Sequence, residues 1–193
     1  MVRFLLRALL FVTVMNVHAA DWVVDSAHSK VNFISIKKIN IAEVHEFDQI
    51  QGRLNAEGEF SLAIDLASTN THNSVRDERM KQYFFDVKTF STATLRAKVE
   101  QSTLASIAEG TNVHLTMNAT LELHGESKPL EINVIITRLV GAKLSVVSAQ
   151  PVIINVADFS LVSGVGKLMD LAKLSSISHA VPVSFYLILK SPK

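Results

Sequence analysis

Strict alternation of apolar and polar positions dominates several separated segments of the chain. In residues 112–123 every second position from Val113 to Leu123 is apolar, which predicts one long β-strand. A second alternating run, Leu130 to Ile136, follows the turn-rich residues 124–129, so the two segments together predict a β-hairpin. The same alternation in residues 60–66 and 181–189 predicts two more strands.

Weaker alternation predicts six shorter strands, at residues 22–24, 30–36, 47–55, 94–100, 144–148 and 152–156. The total is then roughly eight to ten strands, mostly antiparallel. Helical signals are short: Ser74 followed by Asp77 predicts a capping box for a turn or two through Lys81, and leucines at three-residue spacing predict a short helix in residues 167–174. No linker divides the chain, so we predict one all-β domain over residues 21–193.

Long strands with one apolar face favour either a β-sandwich or a closed barrel, and closure has the advantage of removing exposed sheet edges. A barrel of about eight strands is close to the smallest that can enclose a small ligand. Because the inward positions are apolar, such a cavity would suit a lipid. The same side chains could instead fill a solid core, and the pattern by itself leaves both interpretations open.

The first twenty residues have a different pattern from the rest. Arg3 and Arg7 precede an apolar run from Ala8 to Met15, and the small residues Ala19 and Ala20 follow. This layout is typical of a secretory signal peptide, so we predict export and cleavage after Ala19 or Ala20. A membrane anchor is disfavoured because the run is far shorter than the ~20 residues needed to span a bilayer. No later stretch is long and apolar enough to span, so we predict no transmembrane anchor in the mature protein.

Composition narrows the class of protein further. The chain has 193 residues and no cysteine, so an exported form must be stabilised by its core rather than by disulfides. Removal of Arg3 and Arg7 changes the formal net charge from +1 to −1, which argues against a nucleic-acid partner.

Residue types that carry chemistry are present without the arrangements that catalysis needs. Asp25, His28 and Ser29 are close in sequence, but a hydrolytic triad converges from separate elements, and no Gly-x-Ser-x-Gly elbow occurs. We therefore predict no catalytic residue, and expect His28 to make a hydrogen bond at the turn before its strand. The histidines after the leader do not pair at metal-binding spacing, so no metal site is predicted.

Two local clusters are candidates for the opening of a pore. The charged run from Arg76 to Arg79 has two interpretations. It is either a solvated helical turn with local ion pairs, or a segment that places one of its arginines at the pore entrance. Phe84 and Phe85 are adjacent, so on a turn both could flank that entrance, and otherwise they fill the core.

Four stretches carry a resemblance to a known family: residues 22–33 (WVVDSAHSKVNF), 60–71 (FSLAIDLASTNT), 76–87 with Arg-Asp and Phe-Phe-Asp-Val, and 121–130 with Leu-His-Gly and Lys-Pro-Leu. In this order and spacing they resemble the YceI-like family of exported lipid-binding proteins, over nearly all of the mature chain. The resemblance implies a lipocalin-like, antiparallel eight-stranded barrel in the bacterial periplasm, with an apolar pore for a polyisoprenoid or isoprenoid quinone. The chain departs from the family pattern at Lys37-Lys38 and at Arg79, where the family often has histidine.

The leading hypothesis is a non-enzymatic periplasmic carrier of an isoprenoid lipid or quinone, with no other cofactor and with a homodimer as a possible assembly. Polar orientation of the ligand is assigned to Arg76 or His28. The apolar pore wall is assigned to inward-facing positions, namely Phe33, Leu62, Ile64, Phe84, Leu95, Leu115, Met117, Leu121, Ile132, Val134 and Phe185. The alternatives are an exported enzyme that acts on an apolar substrate and a solid-core barrel that binds a protein partner.

Overall fold

The computed structural model describes residues 21–191, and the predicted signal peptide at residues 1–20 lies outside this range. Twelve strands form within it: β1 (Trp22–Val24), β2 (Lys30–Lys37), β3 (Ile41–Phe47), β4 (Ile50–Leu54), β5 (Glu59–Asp65), β6 (Thr69–Asn70), β7 (Thr92–Lys98), β8 (Asn112–Leu123), β9 (Glu126–Leu139), β10 (Lys143–Ser148), β11 (Val152–Asn155) and β12 (Ala180–Lys190). The α-helices are α1 (Ser74–Arg79), which continues into a π-helical turn (Met80–Phe84), α2 (Gln101–Ser106) and α3 (Val162–Ala172).

The strands form one closed antiparallel barrel. Going round it, the order is β1, β4, β5, β7, β8, β9, β10 and β12, and β12 then pairs with β1. The remaining strands prolong members of this ring: β2 pairs with β12 beyond β1, β3 with β2, β6 with β3, and β11 with β12 beyond β10. Four long strands of the barrel are therefore interrupted, each into two consecutive segments: β1 and β2, β3 and β4, β5 and β6, and β10 and β11. The predicted eight-stranded barrel with short helices is confirmed.

The longest hairpin, β8–β9, is tighter than the sequence predicts. Its turn consists of His124 and Gly125 alone, with φ of 51° and 79°. Positive φ at both central residues is the geometry that matches the twist of paired strands. The predicted loop of residues 124–129 is wrong, because Pro129 lies within β9 opposite Thr120. β10 pairs with β9 only from Val134 onward, so Pro129 lies on a sheet edge, where proline is tolerated.

Strand β3 was not predicted as a separate element, and its inward face explains why. Glu43, His45 and Phe47 point inward, so polar residues occupy two of the three inward positions and the apolar alternation is lost. The predicted strand at residues 47–55 is divided, with β3 ending at Phe47 and β4 beginning at Ile50.

The helices also begin at residues other than those predicted. Asn73, rather than Ser74, caps α1, since its side chain accepts a hydrogen bond from the Arg76 N–H. Helix α3 begins at Val162 instead of Lys167, and two glycines, Gly164 and Gly166, hide this start because glycine is a weak helix former. Helix α2 carries no strong sequence signal and was not predicted.

One end of the barrel is covered by α1, the π-helical turn and α3. Close packing joins the last two: a Cβ on Gly164 would lie 2.8 Å from the carbonyl oxygen of Tyr83. Arg79 adds a hydrogen bond of 3.3 Å from its guanidinium to the carbonyl oxygen of Leu171. Both backbone packing and a side-chain hydrogen bond thus hold α3 against the π-helical turn and α1. Within residues 21–191, no helix has the length and apolar character needed to cross a bilayer.

Candidate functional site

A cavity of about 530 Å³ occupies the covered end of the barrel. Its walls come from inward positions of β2, β3, β5, β7, β8, β9, β11 and β12, and its cover from α1, the π-helical turn and α3. Most of these positions are aliphatic or aromatic. The barrel interior is therefore not a solid core at this end, which disfavours the interpretation in which apolar side chains fill it completely.

The structure places the predicted wall residues in three groups. Eight of the eleven line the cavity: Phe33, Leu62, Ile64, Phe84, Leu95, Leu121, Ile132 and Phe185. Met117 and Val134 instead line a second, smaller cavity of about 40 Å³, farther along the barrel. Leu115 packs against the core and lines neither cavity. Leu95, Ile132 and Phe185 line both cavities and so form the partition between them.

An aromatic wall runs along one side of the main cavity. Phe33 packs against Phe47 with ring centroids 5.2 Å apart, Phe47 against Phe85 at 6.0 Å, and Phe85 against Phe84 at 4.7 Å. The π-helical turn lets both Phe84 and Phe85 reach the cavity, which adjacent residues on a strand cannot do.

Sequence reasoning missed most of the wall contributed by β11 and α3. Val152 and Ile154 line the cavity from β11, and Val165, Leu168 and Ala172 line it from α3. A usable signal was present, because Leu161, Val165, Leu168 and Ala172 follow helical spacing on one face.

Charged side chains gather at the outer end of the cavity. The Glu43 carboxylate forms salt bridges with Lys37, at 2.6 Å, and with Arg76, at 2.7 Å. The hydrogen bond from Lys37, assisted by the charge of Arg76, holds the pKa of the Glu43 carboxyl below its usual value. With Arg79, the lining includes three cations and one carboxylate, so this end of the cavity has an excess of positive charge.

Arg76 is held in place from the opposite side by Thr71. Its Nε donates to the Thr71 hydroxyl at 2.9 Å and a terminal nitrogen donates to the Thr71 carbonyl at 2.8 Å. Asp77 accepts from both the backbone N–H and the hydroxyl of Thr71. Asp77 therefore positions Arg76 indirectly, through Thr71, and the guanidinium is fixed at the cavity.

A histidine missed by the sequence analysis lies beside the charged cluster. His45 is only 2% exposed and lines the cavity, with its ring 5.1 Å from that of Phe33. Its Nε2 is 2.8 Å from the Ser35 hydroxyl, while its Nδ1 has no hydrogen-bond partner among the described residues. Burial, assisted by the charge of Arg76, lowers the pKa of His45 to about 4.

The buried His45 predicts a loss of stability in mild acid. Between about pH 6.5 and 4.5 the unfolded chain binds a proton at this histidine while the folded protein does not, so the free energy of unfolding falls. We expect a decrease of about 2 to 3 kcal/mol over this interval, measured by urea denaturation at a series of pH values. Glu43, whose folded pKa is lowered, adds its own loss only below about pH 4.5.

The variant His45→Gln is the control for this pH dependence. It retains a group able to bond Ser35 but does not titrate, so its free energy of unfolding should change little between pH 6.5 and 4.5. A wild-type stability that stays constant over this interval, or a decline that persists in His45→Gln, would contradict the assignment.

His28, the other predicted polar residue, lies away from the cavity. It is exposed in the turn before β2, and its Nδ1 is 2.8 Å from Asp25, which also pairs with Lys190. It thus makes the local turn contact expected of it and does not line the cavity. Among residues 21–191, no three histidine, aspartate or glutamate side chains lie close enough together to hold a metal ion.

Comparisons with known proteins agree with this architecture. The structure matches a polyisoprenoid binding domain from Saccharophagus degradans, implicated in plant cell wall breakdown, with a TM-score of 0.87 and 37% sequence identity, over 89% of this chain and 98% of that one. Burkholderia cenocepacia BcnA matches with a TM-score of 0.64 at 20% identity, covering 86% and 98% of the two chains. The second likeness establishes a shared fold.

Sequence comparison gives curated relatives and a family. A UPF0312 protein of Vibrio cholerae serotype O1 is 30% identical in an alignment of 132 positions, which covers 60% of this chain and 62% of the relative. The chain thus matches somewhat less than two thirds of the length of these relatives. The model of the YceI-like domain matches residues 22–189, which include every strand of the barrel except the last residue of β12. The chain therefore belongs to the YceI-like family.

Proposed function

We propose that the protein binds a long-chain isoprenoid lipid, a polyisoprenoid or an isoprenoid quinone, and carries or sequesters it in the periplasm. The observation that carries this proposal is the apolar cavity of about 530 Å³ inside a closed barrel. A flexible hydrocarbon chain in this cavity would be removed from water, and each Å² of buried apolar surface contributes about 25 cal/mol.

The similarity to the Saccharophagus degradans domain supports the same ligand class. That domain is described as polyisoprenoid binding, and the similarity extends over nearly its whole length. The cavity of this chain provides the physical counterpart, since a polyisoprenoid is a linear chain of methyl-branched apolar units that can bend along a curved wall.

The charged end of the cavity suggests how the ligand is oriented. Arg76 and Arg79 both line it, and a guanidinium suits paired contacts with phosphate oxygens or a contact with a quinone carbonyl. The chain of the lipid would point towards Leu95, Ile132 and Phe185, and its polar end towards Arg76. Lys37 and Glu43 complete this polar end.

The arrangement of Ser35 and His45 favours binding over hydrolysis. The two side chains are hydrogen-bonded, as a nucleophile and its base would be, but His45 Nδ1 meets no carboxylate among the described residues. A histidine with a pKa of about 4 is also a weak base at neutral pH. These features support a non-enzymatic role over the alternative of an exported enzyme with an apolar substrate.

The direct test is to identify what the protein carries. The full chain, including residues 1–20, is expressed in a bacterium, purified from the periplasmic fraction and extracted with organic solvent, and the extract is examined by mass spectrometry. We expect an isoprenoid lipid in near-stoichiometric amount, and tight binding of added isoprenoid quinone after delipidation. A cavity-free periplasmic protein purified in parallel controls for lipid carry-over. Repeated absence of stoichiometric lipid, together with no binding of added quinone, would overturn the proposal.

A further inference from the structure

The turn between β2 and β3 has an unusual backbone for its sequence. Lys38 and Ile39 have φ of 48° and 71°, both in the left-handed region. This region is disfavoured for all residues except glycine and, to a lesser degree, asparagine and aspartate, and it is a clear outlier for a β-branched residue. Ile39 is also 81% exposed, so its side chain gains nothing from packing in the fold.

Folding alone does not account for isoleucine at this position. Asparagine or glycine would adopt the same backbone with less strain and would place no apolar group in water. A strained, exposed apolar residue that the fold does not need indicates a contact outside the molecule.

The turn lies at the outer end of the cavity. Lys37 lines the cavity, pairs with Ile41 and forms a bridge with Ile177, which also lines the cavity. The Lys38 N–H donates to the Ser176 carbonyl at 3.1 Å, which fixes the turn against the segment before β12. We call the surface formed by Lys37, Lys38, Ile39, Ile41 and Val75 the mouth surface.

The mouth surface combines apolar and basic side chains. Ile41 and Val75 are exposed, as Ile39 is, and Val75 also lines the cavity. Lys38 adds a cation to the three that line the cavity, whereas Glu43 is the one carboxylate in that lining. Exposed apolar groups beside an excess of cations are the features that bind membrane surfaces with anionic headgroups.

We propose that the mouth surface docks on a lipid bilayer that carries anionic headgroups. Ile39 enters the apolar layer just below the headgroups, and Lys38 contacts the headgroup phosphates. Because Val75 lines the cavity and is also exposed, the cavity reaches the protein surface beside α1 and there faces the bilayer, so an apolar ligand passes between the two without crossing water. The transfer step rests on the proposed function, whereas docking itself does not.

Vesicle co-sedimentation tests the docking. Vesicles of phosphatidylcholine alone are compared with vesicles of equal parts phosphatidylcholine and phosphatidylglycerol. The wild-type protein should bind the anionic vesicles several-fold more tightly, and the difference should shrink as salt is added. Ile39→Asn should weaken binding by about tenfold or more, since burial of the isoleucine side chain is lost. Lys38→Gln should weaken binding to anionic vesicles by about fivefold and leave binding to phosphatidylcholine unchanged.

Val140 provides a matched control. Val140 is 76% exposed in the turn between β9 and β10. This turn lies at the end of β12, where Lys143 of β10 is the strand partner of Lys190. The turn that contains Ile39 lies near the beginning of β12. Val140→Asn therefore removes a similar side chain from the opposite end of the barrel and should leave vesicle binding unchanged. Ile39→Asn should also unfold at the same or a higher temperature than the wild type, because asparagine tolerates the left-handed backbone, so loss of binding cannot be attributed to unfolding.

Two results would overturn docking: equal binding of the wild type to both kinds of vesicle, or binding of Ile39→Asn that is no weaker than that of Val140→Asn. Ile39 does not line the cavity, so delipidated Ile39→Asn should bind isoprenoid quinone added in detergent as tightly as the wild type does. A protein that docks but carries no lipid contradicts the proposed function alone. A protein that carries lipid but does not dock contradicts this inference alone.

Discussion

Ala93→Phe is expected to keep the proposed lipid out of the cavity, and the amount of lipid recovered by solvent extraction should fall at least tenfold. Ala93 is 4% exposed on β7, lines the cavity and pairs with Ile64 of β5. A phenyl ring at this position occupies space that the ligand chain requires. Because the ring enters existing free volume rather than a filled core, the cost of overpacking should stay at or below about 1–3 kcal/mol.

The matched control for this substitution is Ala63→Phe. Ala63 lies on β5 beside Ile64, and strand alternation turns its side chain to the outside of the barrel. The same ring is then added one position away, on the other face of the sheet, and the extracted lipid should equal that of the wild type. Mass spectrometry and quinone titration of both variants check the prediction. Full lipid content in Ala93→Phe would show that the ligand does not use this cavity.

Phe159→Ala is expected to lower the free energy of unfolding by about 3–5 kcal/mol, the usual range for removal of a buried phenylalanine. Phe159 is 1% exposed and is the largest of the fully buried side chains among the described residues. It belongs to a 3₁₀ turn, Val156–Phe159; the first residue of this turn, Val156, lines the cavity, and so does Leu161 just after the turn. The substitution therefore removes a large apolar contact from the segment that connects β11 to α3.

Urea denaturation measures the effect, and Ile153→Ala is the control. Ile153 is an exposed residue of β11, so its truncation should change the free energy of unfolding by no more than about 0.5 kcal/mol. A loss below about 1 kcal/mol in Phe159→Ala would mean that the surroundings collapse to fill the space, and Phe159 would then not be a major contributor to the stability of the barrel.

The barrel was predictable because its strands have one apolar face. The alternation from Val113 to Leu123 corresponds to β8 residue for residue, and the inward position of Leu62, Leu121 and Phe185 follows from the same period. The twelve observed strands exceed the eight to ten predicted because β3 has a partly polar inward face and β6 has only two residues, so neither carries an alternating apolar signal. The interruption at Ser26–His28, in contrast, separates two strands that were both predicted.

The polar end of the site was not predictable in the same way. His45 and Glu43 point inward from β3, where polar residues remove the alternation that would have shown their direction. Arg76 was proposed from its charge alone, but its position depends on Thr71 and Glu43, which are 5 and 33 residues away in the chain. The spacing of apolar residues along the chain identifies the apolar faces of strands well. Polar contacts between residues that are brought together only by the fold leave no such local signal.

The closing strand of the barrel has a consequence for the order of folding. β12 is the last strand, and it pairs with β1 and β2 on one edge and with β10 and β11 on the other. The two ends of the described chain therefore cannot join until residues 180–190 are available for pairing. Such pairing between distant parts of a chain is slow to form. The cavity is complete only after β12 has joined the sheet, so an apolar molecule can be enclosed only late in folding.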